Sequence, residues 1–252
     1  MLQNKRIVVT RSGSDAVSFK KRLEHQGAHV YMLPAIKTIS NVTDPVVKNA
    51  LMHISAYTWI IFTSTKGVDF FLHGLKTAGI DKEILQRKKI AVVGKKTAQK
   101  VMHYHLPVHI LPDIYTNNQL VKEIKQIQGQ KILLPRGQLG SKKFAQELQT
   151  KGAIVTDIPL YKTIFIQKRD LLFEDFVKKE KINYITFTSP STIMGFLERV
   201  KEPSIQKKIC AIPVISIGPV TTKTAQKQGF LKIFTADIHT TNGMITKLQE
   251  IL

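Results

Sequence analysis

Four segments of the chain share one local design: a compact apolar run ends in small hydroxyl-bearing or glycine residues, and a helix-forming stretch begins. They are Phe62-Thr63-Ser64-Thr65, Val93-Gly94-Lys95-Lys96-Thr97, Phe187-Thr188-Ser189-Pro190-Ser191 and Ile217-Gly218-Pro219-Val220-Thr221-Thr222. The first N–H groups of a helix have no partner inside it and carry the positive end of its dipole, so such junctions hold carboxylate or phosphate. In an open parallel sheet they also lie at the carboxyl ends of strands, where ligands dock. Taken singly, Ser64 and Ser189 also read as ordinary N-caps, and Gly94 and Gly218 as tight turns. Arg11-Ser12-Gly13 and Arg136-Gly137-Gln138-Leu139-Gly140 follow strand-like runs as well. They read either as glycine-bearing anion loops or as arginines making surface or carboxylate contacts.

Other chemistry has little support. Neither loop fits the dinucleotide pattern G-x-G-x-x-G or the phosphate loop G-x-x-x-x-G-K-[ST]. His103, His105 and His109 cluster near Pro107 without a further ligand at coherent spacing, so no metal is expected. No Ser-His-Asp arrangement, catalytic cysteine or H-E-x-x-H pattern is present, and Cys210 reads as a small buried hydrophobe.

The elements that must position these junctions occur twice. Ile7-Val8-Val9-Thr10-Arg11 answers Ile132-Leu133-Leu134-Pro135-Arg136, and Pro34-Ala35-Ile36-Lys37-Thr38 answers Pro159-Leu160-Tyr161-Lys162-Thr163. The offset is constant, since 136−11, 152−27, 159−34 and 163−38 all give 125. Phe62-Thr63-Ser64 meets Phe187-Thr188-Ser189 at that offset, and Gly94 meets Gly218 at 124. The chain is a tandem duplication. Strands are expected at Arg6 to Thr10, His29 to Leu33, Thr58 to Phe62, Ile90 to Val93, Val108 to Leu111, Lys131 to Leu134, Ile154 to Ile158, Tyr184 to Phe187, Val214 to Ile217 and Lys232 to Thr235. Each is a short apolar run of the kind that fills parallel sheets covered on both faces. Amphipathic stretches alternate with them; in the first, Val17, Phe19 and Leu23 precede a stop at Gly27. The pattern is α/β with right-handed crossovers. Pro34 to Ser40 and Pro159 to Gln167 should be extended and read as paired crossings between two lobes. Whether each lobe is one repeat or an exchange of pieces stays open at this level.

At 252 residues there is room for two modest cores, and no apolar run approaches the roughly 18 residues of a membrane span. The N-terminal Met1-Leu2-Gln3-Asn4-Lys5-Arg6 shows no export signal and the single cysteine precludes an internal disulfide, so a cytoplasmic protein is expected. Lysine and arginine number 38 against 18 acidic residues, a formal charge of +20 scattered in pairs such as Lys95-Lys96 and Lys207-Lys208. That favours an anionic partner or reflects solvated basic faces; no nucleic-acid module is recognisable.

In order, spacing and duplication, these blocks resemble the uroporphyrinogen-III synthase family. Val9-Thr10-Arg11, Leu33-Pro34-Ala35-Ile36, Ile61-Phe62-Thr63-Ser64, Ala91 to Ala98, Leu133 to Gly137, Pro159 to Thr163, Thr186 to Ser191 and Ser216 to Thr222 carry the likeness over nearly the whole chain. Ser12 stands where a proline often follows the Thr-Arg pair, and Gly67 where a larger residue is usual. The resemblance implies two similar α/β lobes with parallel sheets flanked by helices, joined by a two-stranded β-ladder hinge. Lobe 1 would comprise residues 1–36 and 166–252, lobe 2 residues 39–160, and the hinge about 34–40 and 159–167. The active site would lie in the cleft between lobes.

The implied reaction closes linear hydroxymethylbilane, a polycarboxylate, into uroporphyrinogen III with loss of water and inversion of ring D, and uses no cofactor. Loss of the ring A hydroxyl gives an azafulvene cation; the substituted carbon of ring D attacks it to form a spirocycle, which fragments and recloses. Tyr161, in the family's Pro-x-Tyr-x-Thr segment, is the candidate proton donor to that hydroxyl, with hinge packing as its other reading. Arg11, Thr63, Ser64, Gly94, Thr97, Arg136, Gly137, Thr188, Ser189, Ser191, Gly218, Thr221 and Thr222 are the candidates for substrate binding. A monomer without nucleic-acid or membrane partners is expected. The alternative from another class is a non-catalytic two-lobed protein that closes on an anionic ligand.

Overall fold

The computed structural model describes residues 2–138, 140, 142–179 and 181–252. Met1 and Leu139, the latter in the second arginine-bearing loop, lie outside them. In chain order the elements are β1 (Arg6–Val9), α1 (Ser14–His25), β2 (His29–Met32), β3 (Ile36–Ser40), α2 (Pro45–Met52), β4 (Trp59–Phe62), α3 (Thr65–Thr77), β5 (Lys89–Val92), α4 (Lys95–His103), α5 (Asn117–Glu123), β6 (Lys131–Gly137), α6 (Lys143–Thr150) and β7 (Ile154–Phe165). There follow α7 (Leu171–Lys178), β8 (Tyr184–Phe187), α8 (Pro190–Arg199), α9 (Pro203–Ala211), β9 (Val214–Ser216), α10 (Pro219–Lys227), β10 (Ile233–Thr235) and α11 (Thr241–Glu250), with 3₁₀ turns at Ile54–Ala56 and Lys82–Arg87.

The chain divides into two compact units, one of Met1–Lys37 with Ile164–Leu252 and one of Thr38–Thr163. The first holds a sheet of order β10-β9-β8-β1-β2, the second one of order β3-β7-β6-β4-β5. The duplication explains the likeness of these orders. β2-β1-β8-β9 of one sheet matches β7-β6-β4-β5 of the other, so each unit joins a strand-helix-strand piece of one repeat to the remainder of the other. The ladders from β1 to β2, β8 to β9, β4 to β5 and β6 to β7 are all parallel.

Parallel strands need apolar side chains on both faces, and both sheets have them. In the first unit Ile7 and Val9 point into one cluster with Phe19, Leu23 and Met244, while Val8 joins Phe173, Phe187 and Phe196 on the other face. In the second unit Ile60 and Phe62 pack with Phe71 and Leu75, and Trp59 and Ile61 with Leu120 and Leu148. The helices end where the sequence stops them: Gly27 and Gly152, equivalent in the two repeats, follow α1 and α6 at φ +89° and +86°. That left-handed conformation strains any residue with a Cβ.

Two local expectations need correction. Val108 to Leu111 is not a strand; it makes one isolated bridge, Ala91 to Ile110. Pro107 and Pro112 bound the run, and the Ile90 N–H goes to His109 Nδ1 at 3.0 Å instead of extending a ladder. In α1 the buried face is Ala16, Phe19 and Leu23, at helical spacing, and Val17 is 51% exposed.

A buried cluster organises the first unit near both places where the chain leaves it. Arg199, at the end of α8 and 7% exposed, donates from Nε to the Lys168 carbonyl (2.9 Å) and from Nη1 to the Pro34 carbonyl (2.7 Å). Its Nη2 lies 3.5 Å from Asp170 Oδ2. Asp170 caps α7 by accepting the Phe173 N–H (3.0 Å) and accepts the Tyr31 hydroxyl at 2.8 Å. Burial, then the hydrogen bond to Asp170, push the Tyr31 phenol up to about 12, and burial lowers the Arg199 guanidinium. Replacing Arg199 by methionine leaves two carbonyls without their donor and Asp170 without its cation. Arg199→Met should lose about 3–5 kcal/mol of unfolding free energy in denaturant titration; an unchanged midpoint would show that water replaces the guanidinium.

Candidate functional site

In the second unit β4 delivers Thr63 and Ser64 to the start of α3. Ser64 is extended (φ −156°, ψ 153°) and its Oγ accepts the Gly67 N–H at 3.0 Å, a serine N-cap. The same oxygen lies 3.3 Å from the Tyr161 hydroxyl. Gly67 has a packing reason to lack a side chain, because a Cβ there would meet the Pro135 carbonyl and Ser64 Oγ at 3.3 Å.

Tyr161 is aimed by an irregularity. Along the β6–β7 ladder Arg136 pairs with Pro159 but the next residue, Gly137, pairs with Tyr161, so β7 carries one extra residue at Leu160. Bulges of this kind turn a side chain out of its regular direction. Leu160 is fully buried, and the Tyr161 ring lies over Gly137, where an added Cβ would sit 2.6 Å from the ring's Cε2. Tyr161 also stacks on Phe70 of α3, with ring centroids 4.9 Å apart and planes 24° from parallel. The structure thus brings Ser64, Gly137 and Tyr161 together and adds Phe70, which no sequence pattern singled out.

Arg136 has its guanidinium engaged inside the unit. It is 8% exposed; Nε and Nη2 donate to Asp157 Oδ1 and Oδ2 at 2.6 and 2.5 Å, and Nη1 donates to the Gly137 and Gly140 carbonyls. The contact with Asp157 ties the loop after β6 to β7. Arg11 likewise pairs with Asp15 one helical turn on, at 2.5 Å.

The glycine-headed junctions differ from the serine ones. Gly94 and Gly218 are extended (φ −147° and 175°), and their carbonyls accept the N–H groups of Thr97 (2.9 Å) and Thr221 (3.0 Å). Both threonines are nearly closed to solvent, at 5% and 3% exposure, so they build the first turn rather than present hydroxyls. Gly218 leaves room for the His239 ring, whose Cδ2 would be 3.1 Å from a Cβ there. Thr222 Oγ1 lies 2.5 Å from Ser216 Oγ and 2.6 Å from Thr235 Oγ1, a hydroxyl chain across β9, α10 and β10. At the start of α8 Ser189 and Thr192 form a capping box, and Ser191 Oγ lies 2.9 Å from Ser189 Oγ beside the half-buried Thr188. Asp157, His239 and Thr235 were not singled out in the sequence, since each acquires its neighbour only through the fold.

The clustered histidines have separate tasks. His109 Nδ1 accepts a backbone N–H and His103 lies edge-on to Tyr104. Among the described residues no group of three His, Cys, Asp or Glu side chains is placed to hold a metal ion. Cys210 is half-buried, and burial raises its thiol, which reduces the thiolate fraction.

These features define a class: parallel α/β sheets whose strand ends lead into serine- or glycine-headed helix N-termini, with a phenol held beside the Ser64 junction in the second unit. Within that class, the chain belongs to the uroporphyrinogen-III synthase family, whose model, described as uroporphyrinogen-III synthase HemD, matches residues 17–246. A porphyrin biosynthesis protein HemD of Ruminiclostridium josui is 27% identical over 248 residues, 98% of this chain and 48% of that protein, so the chain spans about half its length. A uroporphyrinogen-III synthase of Chlorobaculum parvum is 27% identical over 229 residues, covering 89% of this chain and 90% of that one. The crystal structure of uroporphyrinogen-III synthetase from Helicobacter pylori shares the fold, with a TM-score of 0.69 at 18% identity over 98% of this chain and 100% of that one. A Thermus thermophilus uroporphyrinogen III synthase structure does so at 0.63 and 15%, over 98% of each chain.

The Arg136–Asp157 tie yields a stability prediction. Asp157→Asn should lower unfolding free energy by about 2–3 kcal/mol, because the guanidinium then loses its charged acceptor while remaining mostly buried. An unchanged denaturation midpoint would mean that Arg136 swings into solvent at no cost.

Proposed function

We propose that the chain carries out the reaction of its family, closing hydroxymethylbilane to uroporphyrinogen III with loss of water and inversion of ring D. The observation that carries this reading is the family match across residues 17–246. The geometry accords with it. Within each unit the helix N–H groups can hold a carboxylate, after Thr63 and Ser64 and at Gly94 in the second, at Thr188 to Ser191 and at Gly218 in the first, each favouring an anion by about 0.3–1 kcal/mol. Thr97, Thr221 and Thr222 serve these junctions by shaping their first turns. Arg136 and Gly137 hold the loop and the phenol, and Arg11 stands at the head of α1 with Asp15.

In this reading Tyr161 is the proton donor. As the C–O bond of the ring A hydroxymethyl group breaks, the phenol proton leaves with the hydroxyl as water and the pyrrole nitrogen lone pair makes the azafulvene cation. Closure of the macrocycle releases one proton, so the phenol is restored over the cycle. The remaining work is geometric. Holding rings A and D for attack at the substituted carbon is a task of orientation and fixed dipoles, for which no elaborate acid/base set is needed. The reading carries with it a cytoplasmic monomer acting on this one polycarboxylate, without nucleic-acid or membrane partners. Among the described residues no helix is long and apolar enough to cross a membrane.

Turnover separates this reading from a binding protein. Substoichiometric chain mixed with fresh hydroxymethylbilane should consume many equivalents per protein, and Tyr161→Phe should lower kcat about 100-fold or more with KM changed less than about twofold. One equivalent bound and no acceleration would replace the synthase reading with the binding one.

A further inference from the structure

We infer that Gly137, Phe70 and Ser64 are positioning residues that act through the Tyr161 hydroxyl, an inference that rests on the proton-donor reading of that tyrosine. A phenol on a strand has two free side-chain torsions, and a donor displaced by about 1 Å from its acceptor loses on the order of 100-fold in rate. Three contacts remove that freedom, one from β6 and two from α3 and its N-cap. The β6 backbone at Gly137 forms a floor under the ring, 2.6 Å from Cε2 to the place a Cβ would occupy. Phe70 of α3 stacks on the ring at 4.9 Å. Ser64 Oγ, itself held by the Gly67 N–H at 3.0 Å, lies 3.3 Å from the hydroxyl.

Both rings lie against the second unit's core, but packing alone does not account for the arrangement. Tyr161 and Phe70 are only half-buried, unlike Leu160 beside them, which is fully buried and already fills the core behind the sheet. An extra residue in β7 turns the ring toward Gly137 at the one place along this ladder where the register shifts. Glycine there cannot be explained by its own backbone freedom, because its φ is not positive. What it supplies is the space taken by the ring. Ser64 in turn has a hydroxyl already engaged by the helix and the phenol, so it orients Tyr161 instead of offering a free side chain to substrate.

The test is a set of double-mutant cycles on the full chain, measuring kcat and KM for hydroxymethylbilane. Gly137→Ala should lower kcat about 10–100-fold, and Phe70→Leu and Ser64→Ala about 5–20-fold, with KM changed less than about twofold. Phe70→Tyr, which keeps a stacking ring, should restore the rate. In a Tyr161→Phe background each of the three should change the remaining rate less than about twofold, since there is no hydroxyl left to place. If each costs the same with and without the hydroxyl, the residues act otherwise and the inference fails. Should Tyr161→Phe be slow while all three single variants run at the parent rate, the inference falls and the proton-donor reading stands. Tyr161→Phe at the parent rate overturns both. If Gly137→Ala does not fold, Phe70→Leu, its tyrosine rescue and Ser64→Ala decide the matter alone.

Discussion

Every strand-to-helix junction in a parallel sheet falls at the same edge, and that constraint organises this protein. Because β4, β5 and β6 run in one direction, α3 and α4 must begin side by side at their carboxyl ends, as do α8 and α10 after β8 and β9. The helix N–H groups that result are unpaired by necessity, and the residue at the end of each strand decides their use. Serine closes one from within, through a cap; glycine leaves the backbone bare. The chain employs serine at Ser64 and Ser189 and glycine at Gly94 and Gly218, in the same order in both repeats.

Duplication of that design carries a second consequence. A repeat that begins with a strand-helix-strand piece and continues with further strands can close its sheet on its own copy or on its partner's. Here it closes on its partner's: β1 lies between β2 and β8, and β6 between β7 and β4. The chain must therefore pass between units twice, at Lys37 to Thr38 within β3 and at Thr163 to Ile164 within β7. Arg199 fastens the first unit's ends of both passages by taking the carbonyls of Pro34 and Lys168. A guanidinium suits that place, since it offers several donors in a fixed fork and keeps its charge when buried.

Much of this was legible in the residues, for reasons that also mark where legibility stops. Short buried parallel strands announce themselves by apolar runs, and the constant offset between repeats identified equivalent elements, so the α/β class and the family followed directly. Val108 to Leu111 had the composition of a strand but makes only one bridge to β5, because Pro107 and Pro112 bound the run and the His109 ring takes the Ile90 N–H. Arg136 was visible as a charged residue in a glycine-bearing segment; its partner Asp157, twenty-one positions on, becomes its neighbour only through sheet register. Phe70 stood beside Phe71 in one helix, and nothing in the letters says that Phe71 is core while Phe70 meets a tyrosine. The Leu160 bulge, which aims that tyrosine, is a single-residue shift invisible to any periodic pattern.

The central proposal is that the fixed dipoles and the held phenol direct closure to the inverted ring of the III isomer and not to the uninverted ring of the I isomer. Product identity tests it most directly: hydroxymethylbilane generated fresh, closed in the presence of the folded chain, oxidised and resolved into the I and III isomers. The account predicts predominantly the III isomer. Only the I isomer, from protein shown to be folded, would contradict it.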